Sequence, residues 1–274
     1  MRLSTWLSAA ALSAGLCTAS FAQISGKVML DGTPPDMPPV KGIASVPQCA
    51  ALHKDPVYDD SVVVGDKGEF ANVIVFIKVA EGQTLAGPQK TTVAVLDQKG
   101  CMYSPHVLAI ETNQPLDIKN SDPFLHNCHS MAIDNPTFNF AQVSINDKTL
   151  SDPFKAVETF QIKCDVHPWM KAVVRVFDNP YFAVTNEDGK YTIDTKELKD
   201  GTYTVQAWQE VYKDSEPQTV EVKGGKASKE VDFKFKAQKA DAKPMKEIHL
   251  ASLIEKPDCC SDETKTAKTV ASAK

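Results

Sequence analysis

Short apolar segments rich in Val, Ile, Phe and Tyr recur along the chain: "GKVML" (26–30), "DSVVVG" (60–65), "NVIVFIKV" (72–79), "TTVAVLD" (91–97), "HVLAIE" (106–111), "PLDIKN" (115–120), "ETFQIKC" (158–164) and "AVVRVFD" (172–178). Several alternate apolar and polar positions, as in Leu116-Asp117-Ile118-Lys119, which gives a strand one buried face. Turn signals separate them: Asp31-Gly32, Gly65-Asp66-Lys67-Gly68, Lys99-Gly100 and Asn113-Gln114-Pro115. No long stripe of helical period occurs before residue 236. The pattern predicts an all-β protein of many short strands.

A second unit is expected after Asp178-Asn179-Pro180. Segments "KYTID" and "TYTVQAW" alternate cleanly, with Asp-Gly turns at 188–189 and 200–201. "QTVEVKGGKASKEVDFKF" adds two strands around Gly224-Gly225. This predicts a small antiparallel β-sandwich over 180–236, with Tyr203 and Trp208 in its core. Residues 31–60 are rich in Pro and lack a period. The stretch 23–71 is therefore read as an irregular β segment packed on the first sandwich, in part through Cys49. From Ala237 onward Ala, Lys, Asp and Thr dominate, which predicts a flexible tail over 237–274.

The start "MRLSTWLSAAALSAGLCTASFAQ" has a basic residue, an apolar run and small residues at Ser20 and Ala22. It reads as a secretory signal peptide over 1–22, giving a periplasmic or extracellular protein. The apolar run is too short to span a membrane comfortably, and none of spanning length follows. Acidic residues number 35 against 30 basic ones, for a net charge of −5. The charges are dispersed, and no basic patch for nucleic acid stands out.

Export changes what the cysteines can do. Seven are present, at 17, 49, 101, 128, 164, 259 and 260. Cys49 and Cys101 lack ligand-type neighbours in a metal motif and are the expected disulfide. Cys164 sits instead in "CDVHPWM" (164–170), with His167 and Met170. A thiol, an imidazole and a thioether on one loop between two strands suit a soft metal. An upstream partner is "NSDPFLHNCHSM" (120–131), which offers His126 and His129. One thiolate and two imidazoles with a weak axial thioether make a blue copper set. A buried structural thiol at Cys164 and a core Met170 are the plainer alternatives. His126, His129, Cys164 and His167 would also serve zinc.

The loop "CDVHPWM" resembles the Cys-x2-His-x2-Met loop of amicyanin-type cupredoxins. "HN" at 126–127 resembles their His-Asn after a strand end, and "PHVLAIETNQPLDIKNSDPFLHN" resembles their run-up to the first ligand. The resemblance covers roughly 72–178, so a Greek-key cupredoxin sandwich is expected over 72–179. It implies His126, Cys164, His167 and Met170 as ligands of one type 1 copper ion. It also implies outer-sphere electron transfer with protein redox partners. A copper- or zinc-binding carrier or structural module is the alternative. Asn127 is expected to tie the ligand loops together, and His129 to lie near the metal without binding it. Pro168 and Trp169 are expected to form an apolar patch around an exposed His167 edge. Two positions depart from the family. Asp165 stands where Ser or Thr is usual and, if near the metal, would lower the potential. Cys128 is a second thiol close to the site. Segment 181–236 is similar to carboxypeptidase regulatory-like modules, and the whole layout to exported methylamine-utilisation-type proteins.

Overall fold

The computed structural model describes residues 22–80 and 83–237. The expected signal peptide, most of the expected tail and the pair Cys259-Cys260 lie outside the described residues. First along the chain come β1 (Gln23–Asp31), two helical turns α1 (Lys41–Ser45) and α2 (Pro47–Ala50), and β2 (Ile74–Ile77). Nine strands follow: β3 (Ala94–Lys99), β4 (Met102–Ser104), β5 (Val107–Glu111), β6 (Leu116–Asn120), β7 (His126–Ser130), β8 (Asn139–Gln142), β9 (Lys148–Leu150), β10 (Thr159–Lys163) and β11 (Lys171–Phe177). The last are β12 (Phe182–Val184), β13 (Lys190–Asp194), β14 (Gly201–Gln209), β15 (Lys213–Asp214), β16 (Gln218–Lys223), β17 (Lys226–Ala227) and β18 (Phe233–Lys236). The protein is all-β.

Strands β3 to β11 form two sheets, in the orders β5-β11-β10-β7-β8 and β4-β3-β6-β9. Their inner faces share one core. Leu96, Leu116 and Ile118 come from the four-stranded sheet, and Ile110, Ile162 and Val174 from the five-stranded one. The alternation in β6 is visible as burial: Leu116, Ile118 and Asn120 face in, while Asp117 and Lys119 do not. This sandwich carries the metal ligands expected from the sequence.

The strand pairing does not follow the linear boundaries expected at 72 and 180. Strand β1 pairs with β13 and β18, in a three-stranded sheet. Strand β2 pairs with β12 and β14, in a six-stranded sheet. The second sandwich is thus built from strands on both sides of the first in sequence. Of the stretch 23–71, only the middle packs against the metal-bearing core, through Ile43 and Cys49. The physical reason is that β2 is apolar on both faces, a pattern that fits any interior position. Val75 and Ile77 face the core of the second sandwich. Ile74 and Phe76 face the other way, onto Val107, Val173 and Phe177 of the five-stranded sheet. Trp208, expected in the second sandwich's core, lies at this junction instead. Tyr203 is only partly buried against the second core.

Candidate metal centre

Period-two alternation selects the ligand on β7. His126, Cys128 and Ser130 are buried, whereas Asn127 and His129 turn toward solvent. Strand β10 ends at Lys163, and β11 starts at Lys171. The loop between them closes on itself: the Cys164 N–H donates to Met170 O at 3.1 Å and the Met170 N–H to His167 O at 2.9 Å. That closure brings Cys164 and His167 under the start of β7.

Ligand atoms of His126, Cys164 and His167 lie within 4.8 Å of one another, and all three residues are buried. The two Nδ1 atoms are 3.0 Å apart. Cys164 Sγ is 3.8 Å from His167 Nδ1. Two imidazole nitrogens bound about 2.0 Å from one ion would stand about 3.3 Å apart, and a sulfur at about 2.3 Å would stand about 3.6 Å from each. Both of these separations lie within about 0.3 Å of those values, and the third pair is within 4.8 Å, so the three donors suit a single ion. Met170 is fully buried in the same core.

The surroundings of Cys164 ease its deprotonation. Burial pushes the Cys164 thiol up, but the His126 contact and backbone N–H groups of Asn127, His167 and Val166 outweigh it and hold it below its ordinary value. The N–H groups of Asn127 and His167 reach Sγ at 3.4 and 3.3 Å. Burial lowers His167 below its ordinary value, and the neighbouring His126 lowers it further, which keeps a neutral ligand nitrogen available.

Asp122 is a site residue that the sequence motifs do not single out. Its Oδ2 is 2.8 Å from His126 Nε2, which directs Nδ1 toward the other ligands. The same carboxylate accepts the N–H groups of Gly100 and Cys101 at 2.7 and 2.8 Å. Burial acts to raise Asp122, but His126 and these two N–H groups win and hold it below the usual carboxylate range. A usable signal exists: a ligand imidazole commonly gives its other N–H to a carboxylate, and Asp122 stands four residues before His126 in the bend "SDPFLHN". Phe124 was also passed over. Its ring lies 5.3 Å from His126 and 6.4 Å from His167.

Other expected residues fall as follows. Asn127 joins the two ligand loops: its Oδ1 accepts the Asp165 N–H at 3.1 Å, and its Nδ2 donates to Phe140 O at 3.1 Å. Asp165 turns outward, to Lys163 Nζ at 3.1 Å and His129 Nδ1 at 2.9 Å. The condition for a carboxylate beside the metal is thus not met, and His129 shares that outer cluster. Burial pushes the Cys128 thiol up to about 12, so it stays protonated core filler beside Tyr103. The Tyr103 hydroxyl donates to Asn127 O at 2.7 Å and lies 3.2 Å from Lys163 O, linking the two strands that lead to the ligands. Cys49 and Cys101 form a disulfide. Pro168 is exposed and Trp169 half-buried. The His167 edge expected at the surface is covered, with His167 only 2% exposed.

No protein-family model matches the chain. No curated protein matches it either. Among solved structures it is similar to a purple cupredoxin from Nitrosopumilus maritimus, at 22% identity and a TM-score of 0.27, over 31% of this chain and 99% of that one. It is similar to an amicyanin variant in its Cu(I) form, at 20% identity and a TM-score of 0.28, over 31% of this chain and 82% of that one. It is also similar to a copper-containing nitrite reductase from Thermus scotoductus SA-01, at 21% identity and a TM-score of 0.29, over 36% of this chain. The likeness spans 25% of that reductase's own length. These likenesses are partial, and the chemistry rests on the residues themselves.

Proposed function

We propose that this chain is an exported type 1 copper protein that transfers electrons between protein redox partners. The carrying observation is the convergence of His126 Nδ1, His167 Nδ1 and Cys164 Sγ in one buried place. Met170 supplies the weak fourth ligand in this reading. A bound copper would supply the one-electron couple, because thiolate and thioether favour Cu(I) while imidazole suits Cu(II). The chain's own residues hold the ligand atoms still. Asp122 fixes the His126 ring, and two backbone N–H groups hold the sulfur. Rigid ligands limit rearrangement between oxidation states. The Cys49–Cys101 disulfide supports an oxidising compartment. In this reading the protein is a carrier rather than an enzyme, and nucleic acid plays no part. No helix among the described residues is long and apolar enough to cross a membrane.

The test is the visible and EPR spectrum of the copper-loaded chain. An intense thiolate-to-Cu(II) band that bleaches on reduction and is lost in Cys164→Ser is expected. A second reading is a copper or zinc carrier or structural module without redox turnover, which the burial of His167 favours. A colourless protein that takes up zinc stoichiometrically would support that reading over the first.

A further inference from the structure

Residues 38–58 lie against the His167 side of the metal centre. The segment is closed on itself: the Val40 N–H donates to Val57 O at 2.8 Å, and Pro39 pairs with Tyr58 as an isolated bridge. Within it only Ile43 and Cys49 are buried. Val40, Val46 and Val57 are partly buried against the same core, so a thin apolar layer, without a core of its own, holds the segment down.

Its position is also set at three points. Cys49 is bonded to Cys101. His53 Nε2 donates to Gly100 O at 2.7 Å. Gly42 lies flat on the Trp169 indole, where a Cβ would come within 2.1 Å of a ring carbon. Two of the three points share the Gly100-Cys101 turn. That turn is itself tied to the ligands: its N–H groups bind Asp122, which holds His126, and Cys101 O accepts from Trp169 Nε1 at 2.9 Å.

The consequence falls on His167. Its neighbours Val166 and Pro168 are exposed, yet His167 is buried. The sulfurs of Cys49 and Cys101 and a ring nitrogen of His167 all lie within 4.8 Å of one another. The disulfide therefore backs directly onto the imidazole.

We propose that residues 38–58 are a disulfide-latched cover that closes the His167 side of the metal centre and sets how fast reagents reach it. The inference rests on the metal centre proposed above, and its first test needs no metal. Both sulfurs are fully buried, so an external thiol meets the latch only after the cover lifts. Once formed, the disulfide keeps the cover shut.

The metal-free full chain is treated with diethyl pyrocarbonate, and modified histidines are mapped by peptide mass spectrometry. In the unaltered protein His129 reacts, while His126 and His167 are protected. Two variants release the cover by different means: Gly42→Val wedges α1 off Trp169, and Cys49→Ser with Cys101→Ser removes the latch. In both, His167 is expected to react about tenfold faster or more, a change of about 1.4 kcal/mol in opening, while His126 stays protected. An unchanged His167 rate in both variants overturns the proposal. So does a parallel rise at His126, because the whole site would then be opening.

A second arm follows copper release to an excess chelator, read at the thiolate band. Both variants are expected to release copper about tenfold faster or more. Equal release rates in all three proteins overturn the proposal. If no protein shows the band but His167 becomes reactive in both variants, the copper reading fails and the cover stands.

Discussion

His126 Nε2 lies 2.8 Å from Asp122 Oδ2, four residues earlier in the chain. This contact fixes which nitrogen of the ring faces Cys164 and His167. It also connects the proposed ligand to the disulfide-bearing turn, since the same carboxylate holds the N–H groups of Gly100 and Cys101.

Replacing Asp122 with Asn keeps the size and removes the charge that orients the imidazole. Copper affinity is expected to fall by about 10- to 100-fold. Competition titration against a chelator of known affinity measures it, and an affinity within about twofold of the parent would contradict the positioning role.

The disulfide closes a loop with a sequence separation of 52. In the chain-entropy view, removing it costs about 4 kcal/mol of stability. Urea unfolding of the Cys49→Ser, Cys101→Ser protein, metal-free and at fixed pH, checks this. Loss below about 1 kcal/mol would mean that the cross-link does little to restrict the unfolded chain.

His106 spans three parts of the chain. Its Nδ1 lies 2.9 Å from Asp60, and its Nε2 contacts Glu210 in the loop after β14. Burial acts to lower its pKa, but the two carboxylates outweigh it and raise it from 6.5 to about 9. The folded value lies above the unfolded one, so the protonated ring stabilises the fold. That stability is complete below about pH 6.5 and is lost as pH rises through about 9. In urea unfolding across this range, the stability gap between the parent and His106→Gln is expected to narrow as pH rises. A gap that stays constant or widens would contradict the assignment.

Phe177 stacks on Phe182 at 4.7 Å and tilts against Phe76 at 5.3 Å. The Arg175 guanidinium lies 4.4 Å from the Phe76 ring centroid and 5.4 Å from that of Trp208. This junction joins the two sandwiches through an apolar layer rather than a linker. Phe177→Ala is expected to cost about 3–5 kcal/mol. In the parent, fluorescence and far-UV circular dichroism should report one coincident unfolding transition. Two separated transitions would show that the junction does not couple the sandwiches.

The sequence by itself determined the strands and the loop that carries most of the proposed donor set. Alternation in Leu116-Asp117-Ile118-Lys119 is local, and it reappears as alternating burial in β6. The spacing of Cys164, His167 and Met170 is local too, because one short loop carries all three. The Cys49–Cys101 pairing was reached by setting aside cysteines with ligand neighbours, and the bond is present. Tertiary structure decided the rest. Strands β1 and β2 join partners more than a hundred residues away, and a strand apolar on both faces carries no mark of its neighbour. The outward turn of Asp165 depended on His129 and Asn139, which strand pairing places beside it. The placement of Cys49 beside His167 joins it to a segment over a hundred residues upstream, one with no hydrophobic period to mark its place.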